Sequence, residues 1–237
     1  MFINKDFLKS ECEKISVSLD EQMLERFDIF ASLLVEWNKK MNLTGITEPD
    51  EIVIKHFVDS VVLLKYAEIP QGSSMIDVGT GAGFPSIPLM IVRDDIRFTL
   101  LDSLQKRLTF LDAVFQETGM SADLVHARAE DAAKEKELRE KFDFACARAV
   151  APMNVLSELC LPFVKENGSF LAMKGAQGEE ELQNAEKAID LLGGKCVKAD
   201  TFTIEGCGVR NIFNIKKISQ TPPKYPRSAA KISKKPL

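Results

Sequence analysis

The sequence predicts an α/β fold built on a doubly wound, mostly parallel sheet, and three observations carry that expectation. From residue 74 onward, short apolar runs alternate with amphipathic segments, and strand–helix alternation implies parallel strands joined by right-handed crossovers. The first run ends in a glycine-rich turn, Asp77-Val78-Gly79-Thr80-Gly81-Ala82-Gly83-Phe84-Pro85. The last two runs have no helix between them, so they read as an antiparallel hairpin that makes a seven-stranded mixed sheet.

The first third is helical. Ser18-Leu19-Asp20-Glu21 fits a capping box, in which the Ser18 hydroxyl and the Glu21 carboxylate satisfy the first free N–H groups. Behind it Met23, Leu24, Phe27, Phe30, Leu34 and Trp37 recur at three- and four-residue steps, one apolar helix face. Thr47 can cap a second helix, with Pro49 in its first turn and Val53, Phe57, Val61 and Leu64 on its buried side. Pro70-Gln71-Gly72 ends this region. Residues 1–70 thus read as an N-terminal helical extension, 71–219 as the sheet domain and 220–237 as a basic tail.

MIDVG (75–79), RFTLLD (97–102), DLVHA (123–127), FDFACA (142–147) and SFLAMK (169–174) read as the first five strands. Helices are expected between them near 85–92, 104–118, 129–140 and 152–164, with another near 177–191. VKADTFTI (197–204) and VRNIFNIKKI (209–218) form the closing hairpin.

With 45% hydrophobic and 28% charged residues, the 237-residue chain has a globular balance, neither disordered nor fibrous. Its longest uninterrupted apolar run, Ile87 to Val92, is far shorter than the ~18 residues of a membrane span, and the N-terminus lacks a signal-peptide core. Five cysteines without a C-x-x-C pair, and two histidines, argue against a disulfide framework and a metal site. A cytoplasmic protein is expected. Residues 216–237 carry seven basic side chains and no acidic one, leaving 24 basic against 35 acidic residues in 1–215, a net −11. That asymmetry suggests a polyanionic partner for the tail.

Glycines at alternate positions let the backbone after the first strand approach a ligand closely, and Pro85 suits the first turn of the next helix. A phosphate-binding P-loop needs Lys-Ser or Lys-Thr, which are missing, and the dinucleotide fingerprint needs glycine where Phe84 stands. The remaining acid-x-G-x-G-x-G turn resembles the S-adenosylmethionine loop of the class I methyltransferases. Asp77, Gly79, Gly81, Gly83 and Phe84 are then the expected cofactor residues of the turn. Asp102 closes the second strand at the topological switch point, where a carboxylate can accept both ribose hydroxyls. After the third strand, Glu130 or Asp131 can take the adenine amino group or serve as a helix cap.

The acceptor narrows by elimination. The segment after the fourth strand, Ala147-Arg148-Ala149-Val150-Ala151-Pro152, has no [DN]-P-P-[FY] turn for an exocyclic amine. Cys146 lies in an apolar run as a buried small hydrophobe, unsuited to nucleophilic attack on a pyrimidine. A ring nitrogen such as guanine N7 carries its own lone pair and needs no base. Arg148, at a strand end beside the ligand, supplies a cation suited to such a site.

The segments WNKKMNLTGIT, HFVDSV, MIDVGTGAGFPSIPL, RAVAP, LAMKG and PPKYPR, spread from about Trp37 to the C-terminus, resemble those of the glucose-inhibited division protein B (RsmG) family. These are bacterial 16S ribosomal RNA methyltransferases acting on guanine N7. The resemblance implies a cytoplasmic enzyme that uses S-adenosylmethionine to form 7-methylguanosine in the decoding-region loop. Its RNA substrate would be 16S rRNA or a small-subunit assembly intermediate; from the residues themselves, nothing demands more than a monomer, and neither a membrane nor a metal is expected. It places the cofactor at Gly79, Phe84, Ala129-Glu130 and Arg148. Two departures stand out: Ser86 replaces a usual glycine, and Ser228-Ala229-Ala230 follows Arg227 where a glycine is usual. Runner-up readings are a methyltransferase for another RNA base, a protein or a small molecule, and a cofactor-binding regulator without turnover.

Arg148 and Lys174, each after a strand, are the candidate catalytic residues. His56, Asp59 and Ser60 share a helix face, as a buried brace or as substrate contacts. In the tail, prolines favour an extended segment. Lys224, Arg227 and Lys231 are expected along RNA phosphates and Tyr225 stacked on a base; the alternative is a tail packed on the sheet.

Overall fold

The computed structural model describes residues 1–148 and 150–237; Ala149, in the segment RAVAP, lies outside the described residues. Asn4 caps α1 (Lys5–Lys14), its side chain accepting from the Phe7 N–H. In α2 (Glu21–Met41) the cap is Asp20, which accepts from the Met23 N–H at 2.8 Å. The expected Ser18 capping box does not form, because Leu19 turns into the core ahead of the helix and leaves Asp20 as the last extended residue. Thr47 is likewise not a cap. Pro49 opens α3 (Pro49–Ile52) and pushes its predecessor Glu48 into an extended conformation, so the boundary falls there. The run continues through a π-helical turn (Val53–Val58) into α4 (Asp59–Val61) and α5 (Leu63–Tyr66).

The sheet then builds outward from its centre. β1 (Ser74–Val78) pairs in parallel with β2 (Arg97–Asp102) and, through a later crossover, with β4 (Phe142–Arg148). β3 (Asp123–His126) flanks β2 and β5 (Val164–Lys174) flanks β4, both in parallel. β6 (Gly194–Ile204) and β7 (Gly208–Lys217) form the hairpin, and β7 inserts antiparallel between β5 and β6. The order is β3-β2-β1-β4-β5-β7-β6. The chain reverses direction across the sheet between β1 and β4, so a crevice opens above their carboxyl ends.

The crossovers are α6 (Ser86–Val92), α7 (Gln105–Thr118), α8 (Ala129–Ala132) and α9 (Met153–Cys160), with α10 (Gly178–Leu191) before the hairpin. Pro85 takes the cap position of α6 and not its first turn. Two expected helices are shorter than their apolar spacing suggests. α8 stops after one turn, where Arg139 folds back to donate to the carbonyls of Ala133, Thr221 and Tyr225. α9 gives way to a 3-10 turn (Leu161–Phe163) at Pro162, which cannot donate to an α-helical ladder.

Alternating strand residues divide the core between two faces. Phe144 and Cys146 join α1, α2, α6 and α7 on one side; Ala145 and Ala147 face α9 and α10 on the other. Side chains from Ile3 to Leu64 share the first cluster with the sheet, so residues 1–70 are helical and packed directly against the β-strands.

The tail corrects the sequence reading. It is packed and ends in a helix, α11 (Ala229–Lys234). Tyr225 is 6% exposed within the second core cluster and is not available to stack on a base. Arg227 clamps the fully buried Glu158, with Nη2 at 2.6 Å and its backbone N–H at 2.8 Å, and so is not free for phosphate. Lys224 and Lys231 remain exposed. The proline-rich composition reads as extended because the anchors, Arg139 and Glu158, lie more than sixty residues away in sequence.

Removing the cation from a buried pair strands the remaining charge. Arg227→Ala is expected to destabilise the fold by about 3 kcal/mol or more, and the paired change Glu158→Leu, Arg227→Met by less, in urea titrations. Truncation after Ser219 is expected to lower the melting temperature.

Candidate functional site

The crevice above β1 and β4 holds a cavity of about 510 Å³. Its floor is the glycine turn. Gly79, at φ +75°, lies where an added Cβ would press on Val150 at 3.2 Å, so the turn needs both glycine's backbone freedom and its missing side chain. Gly83 serves packing instead. A Cβ there would come within 2.8 Å of Leu111, so this glycine lets α6 and α7 approach and does not touch the cavity. Ser86, the departure from the usual glycine, is buried and shares a 3.0 Å hydroxyl–hydroxyl bond with Thr80.

At one end Asp102 is 2% exposed. Its Oδ2 accepts from the Gly81 N–H at 2.9 Å and from Arg107 at 3.1 Å, and its Oδ1 accepts from the Leu104 N–H. The carboxylate thereby braces the glycine turn against the β2 terminus while lining the cavity. Ala129 and the buried Glu130 line it next to Asp102.

Asp77 lies beneath the turn, wholly buried, and neither of its carboxylate oxygens has a hydrogen bond of normal geometry. Burial pushes its carboxyl up to about 6, tempered by the Ser86 and Thr80 groups and by the charge of Arg148. It does not line the cavity. Its negative field favours a cationic ligand on the turn above. The thiol of neighbouring Cys146 is pushed well above its ordinary value by burial and stays a protonated core residue.

The other end is built around Arg148. Its Nη1 donates to Asp59 Oδ2 at 2.8 Å and to the Lys55 carbonyl at 3.2 Å, and its guanidinium lies 4.8 Å from the centre of the Phe84 ring. The π-helical turn positions Lys55 and His56 there, a common use of such bulges. His56 stacks on Phe84 with ring centres 4.3 Å apart. Its Nδ1 is 3.3 Å from Arg148 Nη2 and its Nε2 is 2.8 Å from Thr44 Oγ1. Arginine has only hydrogens to offer, so Nδ1 accepts and Nε2–H donates to Thr44. Burial and the Arg148 charge pull His56 down to about 3, keeping it neutral. Asp59 also accepts from Arg210 Nε at 2.6 Å, so one carboxylate bridges two arginines. Ser60 turns away and donates to the His56 carbonyl within its own helix.

Beyond Arg148 lies a second cavity of about 430 Å³, reaching the ends of β5 and β7. Lys174 lines it, 8% exposed, donating to the Ala151 carbonyl and pairing with Glu181 at 2.6 Å. Of the residues expected at the cofactor, Gly79, Gly81, Phe84, Asp102, Ala129, Glu130 and Arg148 share the first cavity; Asp77 and Gly83 do not line it. Arg148 and Lys174 share the second. Sequence reasoning missed Thr44, Arg107, Arg210 and Glu181. Thr44 sits inside WNKKMNLTGIT, but Glu181 belongs to a three-glutamate run that reads as a solvated helix face.

A family model described as rRNA small subunit methyltransferase G matches residues 23–211. The chain is 47% identical over 234 residues to the Ribosomal RNA small subunit methyltransferase G of Clostridium perfringens, covering 98% of both chains. Among solved structures it resembles TrmN from Thermus thermophilus (TM-score 0.53, 18% identity, 68% of this chain and 48% of that one). It also resembles a precorrin-6y C5,15-methyltransferase from Geobacter metallireducens (TM-score 0.50, 16% identity, 73% and 90%). The fold is that of the class I methyltransferases.

The buried Asp77 charge makes a testable demand on stability. Its folded value, about 6 against an ordinary 3.8, means the folded state binds the proton more tightly than the unfolded chain. That contribution is fully present below about pH 4 and is lost as pH rises through 6. Asp77→Asn is therefore expected to be more stable than the wild type at pH 7.5, by up to about 3 kcal/mol. The advantage should vanish at pH 4, as read by urea titration at both values.

Proposed function

The chain belongs to the rRNA small subunit methyltransferase G family, and on that premise we propose that it transfers a methyl group from S-adenosylmethionine to N7 of a guanine in 16S ribosomal RNA. The observation that supports this most is the division of the crevice. A cavity floored by the glycine turn over a buried negative charge, with Asp102 and Glu130 each paired to an arginine on its wall, meets, at Arg148, a second cavity in which cations outnumber carboxylates.

The first cavity suits the cofactor. Gly81 and Arg107 occupy Asp102 Oδ2 and Leu104 takes one lone pair of Oδ1, which leaves Oδ1 able to accept from a ribose hydroxyl, and Ala129 and Glu130 lie where adenine would be held. Gly79 and Gly81 bring backbone to the ligand without a side chain between, and Arg148 faces its methionine end. When bound, S-adenosylmethionine supplies an electrophilic methyl group. The chain's own contribution is alignment, which in favourable cases is worth roughly 7–11 kcal/mol.

The junction also suits a ring nitrogen. His56 is neutral with both nitrogens committed, and the carboxylates lining the second cavity, Asp59 and Glu181, are paired with cations. Neither arrangement favours taking a proton from an amine, whereas N7 has no proton to lose. Lys174 holds the wall of the second cavity, and the exposed Lys224 and Lys231 would lie along RNA phosphates, each adding about 0.7 to the salt slope of binding. The enzyme would act in the cytoplasm as a monomer, on the RNA or on a small-subunit assembly intermediate.

The test is incubation with labelled S-adenosylmethionine and ribosomal RNA from cells lacking the gene, followed by digestion to nucleosides. Labelled 7-methylguanosine is expected. Cofactor binding without it would favour a regulator, and label on another nucleoside a different acceptor. Arg148→Ala should abolish transfer, at a reduced melting temperature because Asp59 keeps only Arg210. Asp102→Ala should weaken cofactor binding by roughly 1.5–3 kcal/mol in titration calorimetry.

A further inference from the structure

We propose that the second cavity receives the target base and that Glu181 selects guanine by accepting from its N1–H and N2–H₂ groups. The inference rests on the reading that guanine N7 is the acceptor, and adds the residue that chooses the base. Guanine presents N7 and O6 along one edge and its N1–H and N2–H₂ donors along another. If N7 faces the cofactor cavity past Arg148, those donors face the far wall. Leaving them unpaired there would cost their desolvation, so the wall must hold an open acceptor.

The side-chain acceptors of this cavity are nearly all used. Both Asp59 oxygens are taken, one by Arg148 and one by Arg210. Asn211 Oδ1 shares the single Thr201 hydroxyl proton with Glu179, and its amide donates to the Gly175 carbonyl. Glu181 differs. Its Oε2 accepts from the Met153 N–H at 2.9 Å and forms an ion pair with Lys174 Nζ at 2.6 Å, while no described residue donates a hydrogen bond to Oε1. Those two contacts fix the carboxylate in place, since Lys174 is itself anchored on the Ala151 carbonyl. An immobilised carboxylate with one open oxygen fits a pair of adjacent N–H donors.

The rest of the cavity agrees. At about 430 Å³ it falls in the usual range for small-ligand sites, roughly 300–1,000 Å³. Met173, Phe202 and Ile212 give it apolar surface for a flat ring. Lys55, Arg148, Lys174 and Arg210 outnumber Asp59 and Glu181, which suits a nucleotide joined to phosphates. Arg148 Nη1, held by Asp59 and Lys55, does not compete for N7. Adenine would turn its N1 lone pair toward the Glu181 charge, so the same group that accepts guanine repels adenine.

The test crosses a protein change with a base change. The guanosine labelled by the wild type is mapped, and the RNA is rebuilt by ligation with guanosine or inosine, which lacks the N2 amine, at that position. Wild-type kcat/KM should fall about 10–100-fold on inosine, the span of a hydrogen bond to a charged group. Glu181→Gln should lose a similar factor on guanosine, and its guanosine-to-inosine ratio should shrink to within about threefold of unity. Cofactor affinity, measured separately by calorimetry, should stay within about twofold. A loss shared equally by both RNAs would make Glu181 only a support for Lys174 and overturn the proposal, as would a wild type indifferent to inosine. Should Glu181→Gln not fold, Glu181→Asp keeps the charge and draws the open oxygen back. It must then lower turnover of guanosine more than of inosine, and an equal loss overturns the proposal. A wild type that forms no 7-methylguanosine would instead fail the reading of the reaction itself, before any variant is compared.

Discussion

The Asp59 carboxylate, buried between the guanidinium groups of Arg148 and Arg210, is the interaction on which the rest of the site depends. It ties three parts of the chain that are far apart in sequence: the helical run after Pro49, the end of β4 and the start of β7. A buried network of this kind is stable only when every member is satisfied. Asp59 gives one oxygen to each arginine, and Arg148 spends its remaining contacts on the Lys55 carbonyl, His56 and the face of Phe84. His56 then has one tautomer available, and Phe84, at the end of the glycine turn, is contacted by both that ring and the Arg148 cation. The wall shared by the two cavities is therefore fixed by a single charge.

Electrostatics divides the crevice along that wall. On the cofactor side, Asp102 and Glu130 line the cavity and Asp77 lies under its floor without a donor of its own. A buried carboxylate left in this state costs stability, and such costs are usually found where a ligand relieves them. On the other side Lys55, Lys174 and Arg210 line the second cavity. The cofactor-side carboxylates are themselves paired, Asp102 with Arg107 and Glu130 with Arg128, so the uncompensated negative charge there is that of Asp77 under the floor, while cations outnumber carboxylates around the second cavity.

The sheet was legible because its signals are local. Each strand is a short apolar run, and the glycine turn, Asp102 and Glu130 follow strand ends within a few residues, so topology alone brings them together. The parts that escape such reading depend on distant partners. Thr47 and Ser18 are good caps in isolation, but Pro49 and the buried Leu19 move the boundaries. The tail looks extended in sequence because nothing within it reveals that Glu158 and Arg139 hold it down. Glu181 stands in a run of like charges on an amphipathic helix, and only the position of Lys174 at the end of β5 distinguishes it from Glu179 and Glu180. His56 and Asp59 are recognisable as a pair from spacing, yet a regular helix would not show that the π-helical turn also brings the Lys55 carbonyl to Arg148.

The same fixity bears on the chemistry. A reaction that needs a proton removed calls for a base near its working pH, within reach of the proton and free to accept it. At this junction the imidazole is committed through both nitrogens, and the carboxylates lining the second cavity, Asp59 and Glu181, are each ion-paired. Such a site is poorly made for proton transfer and well made for holding groups still. Transfer to an atom that already carries a lone pair asks only for that: a donor and an acceptor kept in line, with the surrounding polar groups too well bonded to interfere. The network centred on Asp59 would then serve catalysis through its completeness, because each satisfied bond removes a motion that would spoil alignment.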